Sequence, residues 1–136
     1  MKKLFILFCV VIICFNFTAC NRGVADNVSI NLGATDKFSE DEFEAAANCV
    51  INKFKQTFGG CELTDLWYDK EMQEAEAMGY KDEDESNNIM VLMSNFDVDS
   101  SGGDGSFEPN STISGWKWLL SRDSEEGKWK VYDWGY

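Results

Sequence analysis

Any chemistry in this chain has to be built without histidine, because none of its 136 residues is one. That removes Ser-His-Asp and Cys-His nucleophilic catalysis and the commonest zinc ligand. A glycine-rich phosphate loop and a nucleophile elbow are missing as well. What the chain does offer is oxygen. Asp97, Asp99, Ser101 and Glu108 occupy positions 1, 3, 5 and 12 of one acidic run, with Gly102 at position 6. A hard cation such as calcium needs several oxygens to converge, a glycine for the sharp turn and a last glutamate that binds through both oxygens, so this spacing fits a calcium loop. Two features depart from that pattern. Position 8 is Asp104 where an apolar residue belongs, and the run joins two predicted strands instead of two helices. The alternative is a long hairpin loop whose glycines and serines supply turn conformations.

A second constellation is aromatic. Trp116 and Trp118 alternate along a predicted strand and so share one face of it. If that face is open and concave it could stack a sugar ring, an apolar ligand or a peptide; if it is closed, both rings are core against a helix. Asp65, Asp69, Tyr68 and Asp133 could supply a cavity acid or base, yet no spacing sets any of them apart. The expectation is a protein that is not an enzyme and has no resident cofactor, with calcium as the one candidate ion.

The N-terminus carries a different kind of information. Lys2 and Lys3 precede an almost unbroken apolar run from Leu4 to Phe15, the order of a signal peptide. The run is shorter than the roughly 20 apolar residues that cross a bilayer. In Phe17-Thr18-Ala19-Cys20 the small residue before a cysteine resembles the lipobox of bacterial lipoproteins, with Phe17 where leucine is usual. The resemblance implies a diacylglycerol thioether on Cys20, cleavage before it, and residence at the extracytoplasmic face of the cell membrane. Losing residues 1–19 takes away two positive charges and no negative ones, which moves the formal net charge from −12 to −14. So acidic a surface repels phosphate backbones and anionic headgroups, so nucleic acid is excluded as a partner and attachment falls to the lipid.

Of five cysteines, Cys9 and Cys14 leave with the signal peptide and Cys20 takes the lipid. Cys49 and Cys61 remain, and an even pair in an exported protein suggests a disulfide. In a helix ending near Phe58, Cys49 sits roughly 13 Å back along the axis. Residues 59–61 return about 10 Å at most. A bridge therefore requires the loop to fold straight back; two reduced, half-buried thiols are the alternative.

The elements that must position these residues follow from local patterns. Asn21 to Lys37 is small and polar without a period and reads as a flexible tether, so that the domain plan is signal peptide 1–19, tether 20–37 and one domain 38–136. Ser39 with Glu42 forms a capping box and Phe38 with Phe43 a hydrophobic staple, so a helix starts at Ser39. Gly59-Gly60 ends it. Glu62–Tyr68 reads as a strand, Lys70–Met78 as a short, mostly exposed helix, and Asp82–Glu85 as a solvated acidic loop. Ile89–Val98, Thr112–Arg122 and Lys128–Trp134 read as three further strands. The predicted class is α+β: an N-terminal helix packed on a four-stranded antiparallel sheet, in the order α-β-α-β-β-β.

That layout, with the ending Gly127-Lys-Trp-Lys-Val-Tyr-Asp-Trp-Gly-Tyr136, resembles the nuclear transport factor 2-like, or cystatin-like, superfamily, and more narrowly a group of lipoproteins from Gram-positive bacteria. The resemblance covers residues 38–136. It implies a cone-shaped fold with a concave sheet face and no particular activity, since enzymes, binding modules and inert domains share this architecture. The expected role is a membrane-tethered, non-catalytic module that recognises protein or glycan; a small ligand carrier or enzyme using the concave face is the alternative.

Overall fold

The computed structural model describes residues 22–32, 35, 37–80 and 82–136. The expected signal peptide, residues 1–19, and Cys20 lie outside these residues. The described residues form an α+β fold, with five strands in one sheet and four helical segments among them.

Helix α1 (Glu40–Thr57) forms where its caps place it. The Ser39 hydroxyl accepts from the Glu42 N–H at 3.2 Å, and the Glu42 carboxylate accepts from the Ser39 N–H at 3.0 Å. Phe38 and Phe43 meet edge to face at 5.7 Å, closing the staple. Phe43, Ala46, Ala47, Val50 and Phe54 recur at helical spacing and are all buried.

Strands β2 (Cys61–Tyr68), β3 (Ile89–Val98), β4 (Thr112–Ser121) and β5 (Lys130–Gly135) form the expected antiparallel meander. The four-stranded expectation needs one correction. Ser29–Asn31 adds a strand, β1, that pairs parallel with β2 at Ser29↔Asp65 and Asn31↔Trp67. This strand comes out of the segment read as a tether. Val24 extends the same edge, donating to the Cys61 carbonyl at 2.9 Å and accepting from Leu63 N–H at 2.8 Å. The pairing uses backbone groups only, and β1 is exposed throughout, so it leaves no hydrophobic pattern to read.

The sheet is covered on both faces. Against one lies α1, over Leu63, Leu66, Leu92, Phe96, Trp118 and Leu120, all fully buried. On the other, helix α2 (Lys70–Ala77) covers Val91, Met93 and Leu119, with Met72 and Trp67 packed alongside. This explains why β3 is apolar on both sides at its start. The short helix is mostly exposed, as expected, with Gln73 its one buried residue. Asp82 caps a further short helix, α3 (Glu83–Asn87), where a loop was expected.

The strands give the molecule two ends. At one are the start of β2, the end of β3, the start of β4 and the C-terminus of α1. At the other are the N-terminus of α1 and the 123–127 turn, tied together by Arg122. Its guanidinium pairs with Glu42 at 3.1 Å, donates to Asn88 Oδ1 at 3.0 Å and to the Asn87 carbonyl at 3.1 Å, and stacks 4.4 Å from the Trp129 ring.

Candidate functional site

The aromatic constellation turns inward. Trp118 is fully buried, ringed by Phe54, Phe58 and Trp134, and its indole N–H donates to the Ser94 hydroxyl at 2.8 Å. Trp116 packs edge to face on Phe58, Phe96 and Phe107. The face on which a ligand could have stacked is filled by α1, because the two tryptophans and the helix phenylalanines interlock there. Trp118 is therefore a core residue, while Trp116 is partly buried against the same cluster.

The four candidate acid or base residues are dispersed. Asp65 accepts from Thr64 Oγ1 at 2.9 Å and from Asn95 Nδ2 at 3.3 Å. Asp69 caps α2 through Glu71 N–H and Met72 N–H. Tyr68 packs between Phe38 and Phe43, and burial, reinforced by Glu74 and Asp69, raises its phenol above the ordinary value of 10.0. Asp133 accepts from the Trp134 N–H at 2.9 Å. Each carboxylate has a local structural task.

The calcium-loop residues lie at the sheet end where β3 hands over to β4. Asp97 accepts from Thr112 Oγ1 at 2.7 Å, and Asp99 accepts from both the N–H and the hydroxyl of Ser101. The Ser101 hydroxyl and then its N–H hold the Asp99 carboxyl below its ordinary 3.8. Glu108 is exposed, and its backbone carbonyl accepts from Ser111 Oγ. Asp97 and Asp99 thus spend oxygens on neighbouring hydroxyls. Among the described residues no three carboxylate, thiol or imidazole groups are grouped to hold a metal ion. Gly102–Gly105, labelled α4 here, is a left-handed turn: all four residues have positive φ. A Cβ on Gly103 would stand 2.9 Å from the Phe107 ring and 3.1 Å from Cys61 Sγ, so the turn presses onto the core where only glycine fits.

Cys49 and Cys61 are free thiols in separate surroundings. Cys49 donates to the Trp129 carbonyl at 3.0 Å, and burial raises its thiol above 9.0. Cys61 lies under the left-handed turn, where burial first, then Asp99 and Asp104, push its thiol up to about 11.

Hollows open on the surface near both ends of the sheet. One, of about 590 Å³, runs between β1 and the start of α1 and includes Ile30, Leu32, Phe38 and Phe43. The other, of about 330 Å³, lies at the opposite end beside Arg22, Gly60, Cys61, Glu62, Asp97 and Asp99. Glu62 and Asp97 face each other directly across β2 and β3. Sequence reasoning did not connect Arg22 and Glu62 with the acidic loop, because the antiparallel register of β2 on β3 brings Glu62 beside it and the edge pairing of Val24 brings Arg22.

No protein-family profile, curated protein or solved structure matches this chain.

Proposed function

We propose that this chain is a lipoprotein of the extracytoplasmic membrane face, anchored through Cys20, whose domain of nuclear transport factor 2-like layout works by binding a protein or glycan and not by catalysis. The observation that carries the binding reading is the closure of the sheet face under α1. A ligand carrier or enzyme of the alternative kind needs that concave face open, with a carboxylate such as Asp65 or Asp133 held inside it. Instead Trp118 fills the face and both carboxylates lie elsewhere with local partners.

The order of basic, apolar and small residues before Cys20 supports the anchor. Among the described residues no helix is long and apolar enough to cross a membrane. A Cys20→Ala variant should leave the membrane fraction or accumulate as unprocessed precursor. Processing and attachment like those of the wild type would overturn the anchor.

A further inference from the structure

We infer that the end of the sheet at which Gly23 is docked is the end this domain turns towards the bilayer, held there by the lipid on Cys20 through a short leash. This rests on the lipidation reading and adds an orientation to it. Gly23 is buried against the C-terminus of α1, and its N–H donates to the Lys55 carbonyl at 3.0 Å. A Cβ there would stand 2.6 Å from the Phe54 carbonyl oxygen and 2.8 Å from that of Phe58, so the chain passes the helix end closer than any side chain allows. Val24 follows in the ladder with Cys61 and Leu63.

Only Asn21 and Arg22 separate this docked point from Cys20. Three residue steps span about 10–11 Å at full extension. A free coil from Asn21 to Lys37 would have lifted the domain roughly 20–25 Å. The short leash selects one end of the molecule: the β2 start, the Asp97–Glu108 loop and the hollow beside Arg22. The 123–127 turn lies at the other end of strands that are about 30 Å long.

Glu62, Asp97, Asp99 and Glu108 are exposed at the near end. Anionic headgroups within a Debye length of about 8 Å repel such a surface. The domain therefore stands on the bilayer by its lipid, without inserting side chains.

Carboxyl labelling read by mass spectrometry on the full, membrane-bound chain tests this. The comparison is a variant with a Gly-Ser insertion of about 20 residues between Asn21 and Arg22, long enough to lift the domain about 25 Å. Labelling of Glu62, Asp97, Asp99 and Glu108 should be several-fold lower in the wild type than in the extended variant, when normalised to Glu125 and Glu126 at the far end. Equal ratios in two membrane-bound proteins would overturn the orientation and leave lipidation standing. If the wild-type chain is absent from the membrane fraction, the lipid premise fails and the orientation falls with it.

Discussion

The Gln73 side-chain amide donates to the Ile89 carbonyl at 2.9 Å and accepts from Val91 N–H at 2.8 Å. These groups lie just past Tyr68↔Leu92, where β2 stops pairing with β3. One buried side chain thus adds a rung to the ladder. Gln73→Leu keeps the bulk and strands a buried donor and a buried acceptor, so it should cost about 2–4 kcal/mol in urea unfolding. A second prediction concerns Cys61. Its ordinary value is 9.0 and its folded value about 11, so the folded chain keeps this proton where the unfolded chain has lost it. Stability is therefore full below pH 9 and falls as pH rises from 9 to 11. Cys61→Ala should flatten that part of the stability curve; an unchanged slope would place the titration in other groups.

At the scale of elements, the edge formed by Val24 and β1 depends on Gly23 fitting under the end of α1. Gly23→Val should push this edge off β2, and hydrogen exchange at the Val24 and Leu63 amides should then accelerate well beyond that of the β3–β4 amides. Much of the framework was legible in advance. Ser39, Glu42 and the Phe38–Phe43 pair announce α1, because cap, staple and first turn are adjacent in the chain. The apolar stretch Ile89–Val98 announces a strand buried on both sides. Features resting on distant partners were not legible. Arg122 meets Glu42 across 80 residues, and Gln73 meets Val91 across 18, with nothing local to mark either pair. β1 is a backbone match to β2 by three exposed residues, so no period reveals it. For the candidate site, the alternation of Trp116 and Trp118 was readable, but not which layer would cover them. That depends on how α1 crosses the sheet.

For the whole molecule, strong negative charge and a lipid anchor act together in the proposed reading. With residues 1–19 removed the formal charge is −14, and attraction to an anionic bilayer cannot hold such a domain. In that reading the closed core leaves binding to the outer surfaces and ends of the sheet, and the short leash at Gly23 would decide which end faces outward. All of this turns on the chemistry of one residue. The intact mass of the chain recovered from the membrane fraction tests it most directly. The account predicts a polypeptide that begins at Cys20 and carries the added mass of a diacylglycerol. A chain that begins elsewhere, or that begins at Cys20 with no lipid mass, would contradict it.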